Sequence, residues 1–277
     1  MIYRYSAAPC QGLNCSVSSH DVTPVLAVQK GTEQSLLLAD QLQLPLVDEA
    51  AAEQFPYVLR YTDKGLAIAQ TGRKAAGPVI VDFTGGGMAH RRHYGGGELI
   101  VKAVAGDKHH RPTVLDATAG LGRDSFVLAS WGYPVTLCER SAVVAAVLSD
   151  GLERAKQVDD AELLAVIARM QLQATDAVAY MQTLSQETAP DAIVIDPMFP
   201  AAKKSALVKK EMQAFHHIVG ADQDSATLLD CALTTARHRV VVKRPKKAEY
   251  LAAIKPDFNV EGKAIRFDIY SLRAYGK

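Results

Sequence analysis

The chain is poor in the features that would mark a secreted, membrane-bound or strongly basic protein. Four cysteines in 277 residues, Cys10, Cys15, Cys138 and Cys231, are too few and too scattered for a disulfide scaffold and suit a reducing cytoplasm. No window approaches the ~18 uninterrupted apolar residues a membrane helix requires; the longest useful run is Ala142 to Leu148. The start, MIYRYSAAPCQGLNC, lacks a basic segment followed by an apolar one, so no secretory signal is expected. Charge of one sign is also missing: 31 Lys+Arg against 30 Asp+Glu leave +1, so any nucleic-acid contact must be a local basic patch. Cys10 and Cys15 have half the spacing of a metal site, but no second pair follows, and free thiols are the expectation.

What remains, 48% hydrophobic and 22% charged, is the composition of a soluble globular protein with one large or two modest domains. Residues 1–75 read as a small α/β region, with short β-like pieces at Tyr57 to Tyr61 and Leu66 to Ala69. The basic, small-residue stretch Gly72 to Pro78 marks a boundary, leaving 76–277 as the main domain. From Pro112 onward, β-type runs alternate with helical periods, the pattern of a parallel sheet with crossover helices. The expected strands are Thr113 to Ala117, Val135 to Cys138, Met170 to Ala174, Ala192 to Ile195 and Arg239 to Val242. Between them, Ser141 is a good N-cap for a helix carrying Val143, Val144, Val147, Leu148 and Leu152. The tail FNVEGKAIRFDIYSL turns at Glu261-Gly262 and predicts an antiparallel hairpin. A doubly wound, Rossmann-like sheet that ends in such a hairpin is the class I methyltransferase architecture.

Three groups of residues carry chemistry. Asp116 ends the first strand, and Gly120 and Gly122 open the following helix, giving a tight turn with no Cβ to block a nucleotide-like ligand. Glu139 ends the second strand, 19 residues after Gly120, where a carboxylate can accept both ribose hydroxyls. Ser125 stands where a nicotinamide-binding fingerprint has a third Gly or Ala. Paired carboxylates and a missing third glycine favour S-adenosylmethionine (SAM), whose ammonium and ribose want acceptors; a ligand-free strand-to-helix turn is the plain alternative. Next, Asp196-Pro197-Met198-Phe199-Pro200 closes the fourth strand, where the loop should face the cofactor. Asp196 and the Pro197 turn supply fixed acceptors, and Phe199 a stacking ring, as methylation of an exocyclic amine needs. Standing alone, the same residues could simply be a proline turn. Asp176, after the third strand, is either an adenine contact or an N-cap, and both readings stand.

Basic clusters complete the inventory: His90-Arg91-Arg92-His93, Lys108 to Arg111, Lys203-Lys204, Lys209-Lys210, and Lys243-Arg244 with Lys246-Lys247. Most charge runs are solvated faces. Those at 203–210 and 243–247 follow the fourth and fifth strands and are expected to rim the same mouth as an RNA phosphate surface.

The segments VDFTGGGMAHRRHYGGG, VLDATAGLGRDSFVLAS, CERSAVVAAVLSDGL, IDPMFP with KSALVKKEM, VVVKRP and RFDIY together resemble the bacterial small-subunit ribosomal RNA (guanine-N2) methyltransferase J family over residues 79–277. The resemblance implies a SAM-dependent enzyme that methylates N2 of one guanosine near the 3′ end of 16S rRNA, free or in the 30S subunit. It further implies cofactor contacts at Arg123-Asp124, Glu139-Arg140, Asp176-Ala177 and Asp196. No metal and no obligate protein partner is expected. Alternatives are another planar amine acceptor, a protein Gln or a DNA adenine, or a non-catalytic RNA-binding assembly factor.

Overall fold

The protein, analysed as a computed structural model, is described over residues 26–73, 75–85, 99–105, 111–197 and 224–275. Its first sheet has the order β2-β1-β3-β4-β5 and comprises β1 (Leu26–Gln29), β2 (Leu46–Val47), β3 (Tyr57–Thr62), β4 (Gly65–Gln70) and β5 (Val79–Ile80). Helices α1 (Glu33–Leu42), capped by Thr32, and α2 (Glu49–Ala52), capped by Asp48, connect its first strands. The residues expected to form a boundary, 72–78, precede an edge strand that still pairs with β4.

The second sheet has the order β11-β12-β10-β9-β6-β7-β8. Its parallel strands are β6 (Val114–Asp116), β7 (Val135–Cys138), β8 (Met170–Gln173), β9 (Ala192–Ile195) and β10 (Arg239–Pro245). The hairpin β11 (Phe258–Glu261) and β12 (Ile265–Ser271) closes the sheet antiparallel, with β12 seated between β10 and β11. This is the doubly wound sheet with a C-terminal hairpin that the sequence predicts.

Strand alternation sends apolar side chains to both faces. Val114, Leu137, Val194, Val241 and Phe267 pack with Phe126, Leu148 and Leu163 on one side, whereas Leu115, Ile193, Val242 and Tyr270 pack with Met181 and Leu229 on the other. The first face is covered by α4 (Arg123–Ser130), α5 (Ala142–Ala155) and α6 (Ala161–Ile167), which follow α3 (Leu99–Ala105) in the chain. The second is covered by α7 (Ala177–Gln182) and α8 (Ser225–Thr235). Strand order reverses between β6 and β9, so the ends of these two strands form the crevice where ligands bind in such sheets.

The two sheets share one core, because Leu26, Val28, Leu59 and Ile68 of the first belong to the cluster that contains Val114 and Phe126. Helix α5 joins them. Its Asp150 Oδ2 accepts from the Leu66 N–H at 2.9 Å and from Arg154 Nε at 2.8 Å, and Arg154 also donates to the Val81 carbonyl. Gly151 lies against Val81 so closely that an added Cβ would sit 2.4 Å from its Cγ1 and 2.8 Å from its backbone oxygen.

Helix propensity alone favours Ala over Gly by about 1 kcal/mol. Overlap with backbone costs about 1–3 kcal/mol, so Gly151→Ala is expected to lower the melting temperature by several degrees. A raised melting temperature in a thermal scan would show that the contact between α5 and Val81 yields.

Candidate active site

The site grows from the turn after β6. Gly120 and Gly122 have φ of 53° and 70°, left-handed values that favour glycine. At Gly122 a side chain would also meet Leu148 Cδ1 at 2.9 Å. The turn is tied to both neighbouring strands: Ala119 N–H donates to the Cys138 carbonyl at 3.0 Å, Ala117 N–H to Val194 at 2.9 Å, and the Asp196 N–H to Thr118 Oγ1 at 2.7 Å. Glu139, buried at the end of β7, accepts from Gly120 N–H at 2.9 Å through Oε2 and from Ser141 N–H at 2.8 Å through Oε1. Ser141 in turn caps α5. One carboxylate therefore fixes the glycine turn and the start of the next helix.

Asp116 lies behind this turn, 3% exposed, accepting from Ser125 Oγ at 2.5 Å and Thr118 N–H at 3.2 Å. Burial pushes its carboxyl up to about 7; the nearby charges of Asp124 and Asp196 push the same way, against the two hydrogen bonds. In front, Lys243 Nζ donates to Asp124 Oδ2 at 2.7 Å and to Asp196 Oδ2 at 2.8 Å, joining the first turn of α4 to the end of β9. Burial alone would lower the lysine's pKa, but the two carboxylates raise it above its ordinary value, so it stays charged. Cys138, beside the turn, has its thiol pushed up to about 12 by burial, which leaves no thiolate for covalent catalysis.

The predicted residues fall into distinct places. Asp116, Gly120, Gly122, Asp124, Glu139 and Asp196 come together at the carboxyl ends of β6, β7 and β9, with Pro197 directly after Asp196. Arg123 is exposed at the first turn of α4, and Arg140 reaches both oxygens of Asp224 at 3.1 Å, before α8. Asp176 caps α7 by accepting from Ala179 N–H at 3.0 Å, while Ala177 is buried. Phe199, Arg91, Arg92, Lys203, Lys204, Lys209 and Lys210 lie outside the described residues, as do His90, His93, Cys10 and Cys15. Among the described residues, no three His, Cys, Asp or Glu side chains gather as a metal site, and no helix is long and apolar enough to cross a membrane.

Lys243 and Arg244 do not form the exposed rim expected of them. Pairing with β12 keeps β10 in the ladder through Pro245, beyond the last β9 pair at Val242↔Ile195, so the two side chains take opposite faces. Lys243 turns into the site, and Arg244 is buried on the other side, donating to the Glu249 carbonyl. Sequence reading missed the anchoring roles of Thr118, Ser125 and Lys243. For Lys243 the local run carries no signal of that role, because only pairing with β12 extends β10 past Val242.

This donor set fits SAM. The turn is kept free of side chains by Gly120 and Gly122, and carboxylates at the ends of adjacent strands match its hydroxyls and ammonium. Fold and site thus define a class I SAM-dependent methyltransferase, and the SAM-dependent methyltransferase family model (SAM_MT) matches residues 38–272. A SAM-dependent methyltransferase from Neisseria gonorrhoeae superposes with a TM-score of 0.69 at 39% identity, covering 91% of this chain and 97% of that one. Proteins named ribosomal RNA small subunit methyltransferase J are 49% identical over 243 residues in Cellvibrio japonicus (85% of this chain, 91% of the relative) and 48% over 241 in Pseudomonas aeruginosa (86% and 90%). The chain belongs to the ribosomal RNA small subunit methyltransferase J family.

Two outcomes are expected from the carboxylates. Glu139→Ala should weaken binding of S-adenosylhomocysteine by about 1.5–3 kcal/mol, the scale of charge-assisted hydrogen bonds. An unchanged Kd in calorimetry would remove Glu139 from the cofactor site. Between pH about 4 and about 7, folded Asp116 keeps a proton that the unfolded chain has released. Its contribution to stability is therefore complete below the lower value and is lost as pH rises through the upper one. The melting temperature of the wild type relative to Asp116→Asn should fall across that window and level off above it; parallel profiles would contradict the burial argument.

Proposed function

We propose that this enzyme methylates the exocyclic N2 amine of a guanosine in small-subunit ribosomal RNA, near the 3′ end of 16S rRNA, in the cytoplasm. The observation that carries the reading is Asp196, held at the strand-order reversal by Lys243 and Thr118 beside the glycine turn. Bound SAM supplies an electrophilic methyl on a sulfonium. The guanine N2 lone pair is delocalised into the ring and is a weak nucleophile. Fixed acceptors that engage its N–H and align it therefore contribute most. Asp196 Oδ2 is oriented by the lysine, and the rigid Asp196-Pro197 step holds the adjoining backbone. Glu139 and the glycine turn hold the ribose end, and Asp116 supports them from behind. Phe199 is proposed as the base-stacking ring, and Arg91, Arg92, Lys203, Lys204, Lys209 and Lys210 as phosphate contacts. The names of the relatives support the ribosomal substrate.

The test is transfer of labelled methyl from SAM to 16S rRNA in 30S particles from a strain lacking the enzyme, followed by nucleoside analysis. N2-methylguanosine is expected, and Asp196→Ala should abolish it while leaving the melting temperature within a few degrees. Cofactor binding without transfer to rRNA would point to another amine acceptor or an assembly role. Full turnover by Asp196→Ala would remove that carboxylate from the mechanism.

A further inference from the structure

We propose that Lys243 is a positioning residue for methyl transfer: by holding Asp124 and Asp196 on one ammonium, it sets the Asp196 carboxylate toward the acceptor amine and takes no part in RNA phosphate binding. The proposal rests on the role of Asp196 given above. Its basis is the meeting of three elements. Asp196 follows β9, Asp124 lies in the first turn of α4, and Lys243 comes from the part of β10 that outruns β9. The two bonds, 2.7 and 2.8 Å, end on one Oδ2 atom each. The lysine side chain is 24% exposed and Asp124 26%, whereas Asp196 is 42% exposed, so the clamp is sheltered on the helix side and open on the Asp196 side.

Charge makes the clamp necessary. Asp116, Asp124, Glu139 and Asp196 lie at one end of the sheet, and the charges of Asp124 and Asp196 raise the proton affinity of Asp116. An ammonium between Asp124 and Asp196 offsets the repulsion between them and fixes the position of Asp196 Oδ2. Two of the three ammonium N–H groups are spent on Asp124 and Asp196, and a phosphate approaching the third would meet the negative charge of both carboxylates. Exposed lysines on the neighbouring turns, Lys247 and Lys263, are free of that conflict in position, standing at the surface after β10 and between β11 and β12.

Lys243→Met keeps the length and removes the charge; Lys243→Arg keeps the charge. At saturating SAM and 30S particles, the single-turnover rate of Lys243→Met is expected to fall about 30- to 100-fold, the scale of a misplaced reacting group. S-adenosylhomocysteine should bind within about threefold of wild type, RNA affinity and its salt dependence should be unchanged, and Lys243→Arg should recover most of the rate. If Lys243→Met does not fold, Lys243→Gln carries the same comparison with a neutral donor. An unchanged rate overturns the proposal, as does a loss confined to S-adenosylhomocysteine affinity. A loss confined to RNA affinity, with the salt slope reduced by about one, would return Lys243 to the phosphate surface. The wild type is the control: if its product is not N2-methylguanosine, the guanosine reading fails, and the Lys243 comparison is made on whichever RNA it methylates. A wild type that methylates no RNA overturns both.

Discussion

The structure turns on how several carboxylates can share one end of a sheet. Asp116, Asp124, Glu139 and Asp196 all lie at the carboxyl ends of β6, β7 and β9 or on the helix that starts there, and each is stabilised differently. Asp116 is buried and drawn toward its protonated form. Glu139 is met by two backbone N–H groups, one of which points at it because Gly120 adopts a left-handed conformation. Asp124 and Asp196 share an ammonium. Negative potential suits a cationic cofactor: Glu139 and the Asp124–Lys243–Asp196 group retain it, while the pull of Asp116 toward its protonated form limits the repulsion between neighbours.

Each solution is set by the fold around it. The glycine turn is knitted to β7 and β9, so its N–H groups cannot drift from Glu139. Helix α5 is capped by Ser141, two residues after Glu139, and packs toward its other end on Val81 and Leu66 of the first sheet's region. The first sheet thus buttresses the helix that follows Glu139, and the core it shares with the second sheet makes that support continuous.

The parallel strands, the Ser141 cap and the closing hairpin were legible because each rests on local chemistry: apolar alternation, a hydroxyl before a periodic helix, a glycine between extended runs. Glu139 and the glycines were legible because their spacing is a strand-turn-helix spacing. Lys243 was not, because the length of β10 is decided by a partner strand more than twenty residues later, and a basic pair after an apolar run reads as the end of a strand. The role of Ser125 was hidden for a similar reason. In sequence it is a residue that is not glycine, and only the crossing of α4 over β6 brings its hydroxyl to Asp116. Asp176 shows the converse: its cap on α7 was one of two open readings, and it is the one the hydrogen bond from Ala179 displays.

The reach of β10 has a cost that the hairpin offsets. Arg244 stands directly opposite Arg266 across the antiparallel ladder, a like-charge pairing that destabilises a sheet. Asp268, wholly buried two residues along β12, binds Arg266 through both oxygens at 2.7 and 3.1 Å, while Arg266 also donates to the Pro245 and Lys246 carbonyls. Those bonds tie the chain leaving β10 back onto β12 and hold residues 243–245 in the sheet. Because strand side chains alternate, the face that carries this anchorage is opposite the face that carries Lys243. A slip of one residue would exchange the two, burying the ammonium among guanidinium groups and turning Arg244 toward Asp196. The polar interior of the hairpin is therefore a constraint on the active site as much as on the fold: the register it enforces decides which cation meets the carboxylates.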